Sequence, residues 1–261
     1  MSALGSRTVE TPRGAKIRVY EAGSGDPLVF LHGAGGLLPD DPFVVKLAER
    51  FHVFAPCLPG YEDSTGEEDL RDMLGITLHT ADVVEALGLE RPTLVGHSMG
   101  GMIAAEMAAV APASVERLVL ICPAGLWDDE QPIADLFGTL PFELPALLFH
   151  DPEVGAALLT AGLDFTDMGA LADFMVTNSK RLGMAGKILF PIPDRGLSER
   201  LYRIQARTLI LWGESDKLIP PSYGNAFQAA IAGSELRTIA EAGHMLPIEQ
   251  PQAVLEAIAS L

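Results

Sequence analysis

Three residue types that together can transfer an acyl group each stand just beyond a short apolar run: Ser98, Asp216 and His244. Ser98 is the centre of residues 93–101, TLVGHSMGG, where an apolar run stops at Gly96 and a segment rich in Ala and Met begins directly after the serine. That pattern reads as strand, tight turn, helix, with the hydroxyl at the tip of a strained turn and glycines at 96 and 100 removing Cβ atoms that would collide. A serine hydroxyl attacks a carbonyl only when a base within hydrogen-bond reach takes its proton, and imidazole, which titrates near neutral pH, suits that work. His244 is assigned as that base. A carboxylate on the other ring nitrogen fixes the tautomer and stabilises the imidazolium, the role assigned to Asp216. The amides of Ala34, in the loop HGAGG, and of Met99, at the helix start, are the expected oxyanion donors, each typically worth roughly 3 kcal/mol in the transition state.

These residues have to be positioned by something, and strand–helix alternation supplies it. Residues 7–11 and 16–20 read as an edge hairpin, and residues 28–31 (LVFL) as a strand covered on both faces that runs into His32-Gly33-Ala34-Gly35-Gly36. A short helix over 42–50 and a strand over 52–55 follow. A helix is expected over 67–87, with Thr65 and Glu68 at capping-box spacing, an apolar face through Leu70, Met73, Thr77, Ala81, Val84 and Leu87, and Gly88 to end it. Beyond the serine come a helix over 99–110, strands over 117–122, 208–212 and 235–239, a helix started by Pro220 and Pro221, and a final helix over 251–261. Such alternation implies a parallel, doubly wound α/β sheet, in which ligands bind beyond the carboxyl ends of the strands. The loop HGAGG, Ser98, Asp216 and His244 all follow strands, so they can meet at one edge.

The chain order Ser, Asp, His, with GHSMG after a strand, HG-x-G before the first helix, G-E-S-D and A-G-H, resembles the α/β-hydrolase superfamily over residues from about 16 to the C-terminus. The resemblance implies an eight-stranded, mostly parallel sheet with a helical cap inserted after strand six. Residues 1–122 and 204–261 are accordingly expected to form the core domain and 123–203 the cap. The SMGG segment and the cap position are similar to small bacterial esterases, lactonases and the C–C hydrolases of ring-fission products. Serine at 98 speaks against the branches that use a carboxylate nucleophile. The family pattern puts the acid three residues after the glycine, which favours Asp216 over Glu214. Asp128 and Asp129, after the preceding strand, are the fallback. His32 and His97 are expected to orient loops, and His52, His79 and His150 to be structural or exposed. Cys122, at a strand end near the expected pocket floor, has no second base to make it a nucleophile.

Residues 123–203 carry no convincing strand, only helical fragments broken by Pro132, Pro141, Pro145, Pro152, Pro191 and Pro193. Their apolar residues, Leu136, Phe137, Leu140, Phe142, Leu147, Leu148, Phe149, Phe165, Met168, Phe174 and Met175 among them, suit a lid of which about a third would touch ligand. Leu140, Phe142 and Phe174 are the chosen substrate contacts. No Lys or Arg lies between Arg117 and Lys180, while acids are frequent there. A substrate carboxylate would want a cation, and Arg181, Lys187 and Arg195 keep that option open. The C–C hydrolases also commonly carry tryptophan directly after the catalytic histidine, where this chain has Met245. The expected reaction is therefore hydrolysis of small to medium, uncharged, fairly apolar carboxylic esters through an acyl-enzyme on Ser98. C–C bond hydrolysis or lactonase activity is the first alternative, and a hydrolase-fold ligand receptor with slow turnover the second.

The 261 residues, 48% of them hydrophobic, can bury a sizeable core, and a net charge of −17 repels nucleic acid and anionic membrane surfaces. The N-terminal residues have no apolar core of signal-peptide length and no later run approaches membrane-spanning length, so a cytoplasmic protein is expected. Cys57 and Cys122 match no metal-ligand spacing, and neither a metal nor another cofactor is expected. The expected partner is a small-molecule ester, and a homo-oligomer is compatible with the sequence.

Overall fold

The computed structural model describes residues 4–37, 40–160, 166–190 and 194–261. Phe165, Pro191 and Pro193 lie outside them. The chain forms an eight-stranded α/β sheet in the order β1-β2-β4-β3-β5-β6-β7-β8. Strands β1 (Gly5–Glu10) and β2 (Lys16–Ala22) are the expected antiparallel edge hairpin, and β2 also pairs antiparallel with β4 (His52–Pro56). From β4 onward, through β3 (Pro27–Leu31), β5 (Thr93–His97), β6 (Arg117–Ile121), β7 (Arg207–Gly213) and β8 (Glu235–Ile239), every pairing is parallel.

The order fixes where a site can form. Strand β3 has β4 on one side and β5 on the other, so the connections leaving β3 and β5 run to opposite sides and open a crevice at their carboxyl ends. The register pairs Leu31 with Gly96, His97 with Ile121, Ile121 with Leu211, and Gly213 with Ile239, which brings five strand ends to one edge.

Helix α1 (Pro42–Leu47) starts at N-cap Asp41, whose carboxylate accepts from the amides of Phe43 and Val44. Helix α2 (Met73–Ala86) begins later than its apolar spacing suggests. Thr65 does not cap it, because its hydroxyl accepts the amide of Lys16 on β2. Residues Glu67–Asp69 form a separate 3₁₀ turn, and Asp72 is the N-cap, accepting from Gly75 at 2.7 Å. Helix α3 (Met99–Val110) follows Ser98 and is buried on nearly every side. That suits a helix lying between the sheet and other layers. Its one acidic residue, Glu106, is buried and ion-paired with Arg200.

Between β6 and β7 lie α4 (Leu144–Leu148), α5 (Pro152–Leu159) and α6 (Met168–Leu189), with no strand among the described residues. Asp151 and Asp167 cap α5 and α6 with their side chains. Helix α7 (Ser222–Ala230) links β7 to β8, and α8 (Leu246–Glu249) and α9 (Pro251–Ala259) end the chain. Helix α1 packs with α8 and α9, and α2 with α3, the two-sided cover expected for right-handed crossovers. Among the described residues no helix is long and apolar enough to cross a membrane.

Candidate active site

Ser98 has φ 54 and ψ −117, outside the regions open to an L-residue without strain. Such a conformation costs about 1–3 kcal/mol and needs neighbours that over-determine it. Two glycines allow the necessary crowding. A Cβ on Gly96 would stand 2.3 Å from the Gly100 carbonyl oxygen, and a Cβ on Gly100 would stand 2.1 Å from that of Leu31. Helix α3 thus leaves the strand end in direct backbone contact with β3, and the Ser98 amide is tied to the Ile121 carbonyl at 2.9 Å.

The serine hydroxyl lies 2.8 Å from Nε2 of His244, and Nδ1 of His244 lies 2.8 Å from Oδ2 of Asp216. All three side chains are buried. The other carboxylate oxygen of Asp216 accepts the amides of Leu218 and Ile219, at 3.0 and 2.9 Å, so the acid is held by its own turn. Among the candidate acids, Asp216 is the one placed against the histidine. Glu214 is exposed, Asp128 accepts the amide of Glu130, and Asp129 accepts from the indole of Trp127.

The loop carrying His244 is pinned from four directions. Nε2 of His97 donates to the His244 carbonyl at 2.8 Å, and Glu249 accepts the amides of Gly243 and His150, both at 2.7 Å. The Met245 amide donates to Leu148 at the end of α4 at 3.0 Å, and the Ser215 amide to Ala242 at 2.8 Å. His244, Asp216 and the segment between β6 and β7 are therefore one hydrogen-bonded unit. His97 orients a loop as its sequence position suggests, belonging to the serine motif but serving the histidine loop.

His32 plays a similar part on the other wall. Its Nε2 accepts the amide of Leu58 at 3.0 Å, which puts the ring proton on Nδ1, and that proton is donated to the Gly33 carbonyl at 2.7 Å. Gly33 O and Ala34 N belong to one trans peptide and point opposite ways, so fixing the carbonyl aims the Ala34 amide. Burial holds His32 down to about 4 and His97 down to about 3, keeping both rings neutral. The Met99 amide is at the first position of α3, where helix geometry supplies no intrahelical acceptor. Of the remaining histidines, His79 is buried, His52 bonds Glu21, and His150 bonds the Ser215 hydroxyl.

Ser98 and Ala34 open onto a cavity of about 60 Å³. Its apolar wall comes from Met102 on α3, from Ile133, Leu136 and Phe137 ahead of α4, and from Leu218 and Ile219. The three expected substrate contacts lie elsewhere: Leu140 is 51% exposed, Phe142 77% and Phe174 40%, and none lines this cavity. The residues that do line it from the segment between β6 and β7 sit largely in its irregular stretch before α4, where no helical period marks an inward face. Asp194 and Arg195 also reach the wall, and Nη1 of Arg195 donates to the Ile188 carbonyl at 2.6 Å. The cation-free window between Arg117 and Lys180 therefore does not extend to the whole cavity.

Cys122 has φ 42, and its thiol is pushed well above the ordinary range by burial and by the nearby Asp216 carboxylate. Its sulfur and donor atoms of Asp216 and His244 lie within 4.8 Å of one another. The 2.8 Å Asp216–His244 hydrogen bond occupies the space a bridging ion, about 2.0–2.2 Å from each ligand, would need. The arrangement serves proton transfer better than metal binding.

The sequence model of the alpha/beta hydrolase family matches residues 28–257. A 2-hydroxy-6-oxo-6-phenylhexa-2,4-dienoate hydrolase from Burkholderia cepacia is 27% identical over 263 residues, covering 91% of this chain and 88% of that protein. Among solved structures, a meta-cleavage product hydrolase superposes with TM-score 0.78 at 20% identity, covering 98% of each chain. The naproxen esterase of Bacillus subtilis superposes with TM-score 0.75 at 20% identity, covering 99% of this chain and 91% of that one.

Proposed function

The chain belongs to the alpha/beta hydrolase family, and from that premise we propose that it hydrolyses carboxylic esters through an acyl-enzyme on Ser98. The observation that carries the reading is the pair of 2.8 Å contacts joining Ser98, His244 and Asp216. In this mechanism Ser98 Oγ attacks the ester carbonyl while His244 Nε2 takes its proton, and Asp216 stabilises the imidazolium through Nδ1. The amides of Ala34 and Met99 hold the oxyanion. His244 then protonates the departing alcohol, leaving the acyl group on Ser98. Water, deprotonated by His244, attacks the acyl carbonyl and releases the carboxylic acid.

The cavity supports substrates of small to medium size with an uncharged, fairly apolar group beside the carbonyl. One water occupies about 10–15 Å³ by a comparable measure, so about 60 Å³ holds only a few heavy atoms. The test is turnover of p-nitrophenyl acetate and butyrate by the wild type and by Ser98→Ala. Multiple turnovers that vanish in the variant are expected, and an unchanged rate in the variant would remove Ser98 from the mechanism. A single stoichiometric burst without turnover would favour a slow ligand receptor.

One observation favours a second reading, C–C bond hydrolysis of ring-fission products. Arg195 reaches the cavity wall and could meet a carboxylate, and the Burkholderia cepacia relative is a dienoate hydrolase. A panel of aryl esters, lactones and ring-fission dienoates separates the readings: efficient dienoate cleavage with negligible ester turnover would replace the first by the second.

A further inference from the structure

A second hollow of about 270 Å³ adjoins the cavity at Ser98 and shares two wall residues with it, Leu126 and Asp194. Apart from Asp128, Tyr223 and two serines, its remaining wall is apolar: Trp127, Leu201 and, on α7, Ala226 and Ala230. Leu126 and Asp194 form the partition between the two spaces. Asp194 is fixed in it, because its carboxylate accepts the amides of Gly196 and Leu197 at 2.7 and 2.9 Å. Leu126 has no such tether. It follows Gly125, whose positive φ of 109 carries the chain through a gap where a Cβ would stand 2.7 Å from Leu197 and 2.8 Å from Met102. The backbone is held there, and the buried Leu126 side chain is kept in place by packing alone.

We propose that the outer hollow is a second substrate subsite, which receives the far end of a long, uncharged acyl chain, with Leu126 as the partition that sets how long a chain is accepted. The proposal rests on the ester-hydrolase reading. Size argues for it, since the inner cavity accommodates only a few carbons and each further methylene gains affinity by burial against Trp127, Leu201, Ala226 and Ala230. Charge argues for an uncharged end: among the described residues the outer wall carries Asp128 and Asp194 and no Lys or Arg. An anionic tail would be repelled there.

The test has a kinetic arm and a binding arm. Leu126→Ala is expected to raise the ratio of kcat/KM for p-nitrophenyl octanoate over butyrate about tenfold. Adding Ala226→Phe, which fills the outer hollow, should return the ratio to the wild-type value. An unaltered ratio in Leu126→Ala, or a raised one that Ala226→Phe leaves in place, overturns the proposal. The binding arm keeps Leu126 and needs no catalysis. The chain has two tryptophans, and Trp212 is fully buried, so Trp127 is the one in the outer hollow. In Ser98→Ala, 1-octanol should shift the tryptophan emission to the blue where 1-butanol does not, and Trp127→Phe should abolish the shift. No shift with 1-octanol overturns the subsite. Failure of every variant to turn over p-nitrophenyl butyrate would instead overturn the ester reading and leave the emission arm to decide the subsite alone.

Discussion

Nε2 of His97 donates to the backbone carbonyl of His244 at 2.8 Å, so the residue beside Ser98 holds the loop that carries His244. Replacing His97 by leucine removes that donor and leaves a buried carbonyl without it, a cost of about 1–3 kcal/mol. Because the hydrogen bond positions His244 and touches no substrate, kcat should fall by about 10–100-fold with little change in KM. His97→Gln, which restores an N–H donor, should recover part of kcat. Equal loss in both variants would assign His97 to packing alone.

The neutral state of the two flanking histidines makes stability depend on pH. His97 and His32 are held by burial at about 3 and about 4, against an ordinary 6.5 in the unfolded chain. Below pH 6.5 the unfolded chain takes up protons that the folded chain does not, so the stabilisation is complete above 6.5 and is lost as pH falls toward 4. Each residue contributes a slope of up to about 1.4 kcal/mol per pH unit. Urea midpoints measured from pH 7.5 to 4.5 should decline below 6.5, and His97→Gln should flatten the decline. A flat wild-type curve would mean that the rings protonate in place.

Asp216→Asn tests the acid. The amide keeps the shape of the side chain but cannot accept the Nδ1 proton as a carboxylate does, and kcat should drop by about 10³–10⁴-fold. Glu214→Gln and Asp128→Asn, whose carboxylates lie off the histidine, should stay within about threefold of wild type. A large loss in either would move the acid role.

Gly100→Ala tests the elbow. Its Cβ would lie 2.1 Å from the Leu31 carbonyl oxygen, a backbone atom that cannot rotate away. Destabilisation of about 3 kcal/mol or more is expected, read as a lower melting temperature or loss of soluble protein. A melting temperature within 2 °C of wild type would show that strand and helix can separate there.

The parts of this protein that are legible in its sequence are those where one physical requirement selects one residue type. Gly96 and Gly100 are there because no Cβ fits, and Ser98, Asp216 and His244 follow strand ends that the sheet brings to one edge. The start of α2 was hidden because Thr65 and Glu68 have capping-box spacing while Thr65 is engaged by β2, and the actual cap, Asp72, lies further on. The cavity wall was hidden for a related reason. Composition marks residues 123–203 as apolar, but Leu136 and Phe137 lie in an irregular stretch with no period from which to read an inward face. Phe174 does lie on a helix, α6, and is exposed on it.

That contrast yields a last prediction. Phe142, at 77% exposed, and Phe174, at 40%, stand outside the cavity that holds Ser98, whereas Phe137 lines it and packs at a tilt against Phe190 with ring centroids 5.0 Å apart. Phe142→Ser and Phe174→Ser should leave kcat/KM for p-nitrophenyl butyrate within about threefold of wild type. Phe137→Ala removes apolar wall beside the acyl group and should raise KM about tenfold, equivalent to about 1.4 kcal/mol of lost binding, with a smaller effect on kcat. Steady-state kinetics on the three variants decides between the two walls. If Phe174→Ser proves the costly change and Phe137→Ala the silent one, α6 must close over the site during turnover, and the binding surface is the one its exposed face brings down.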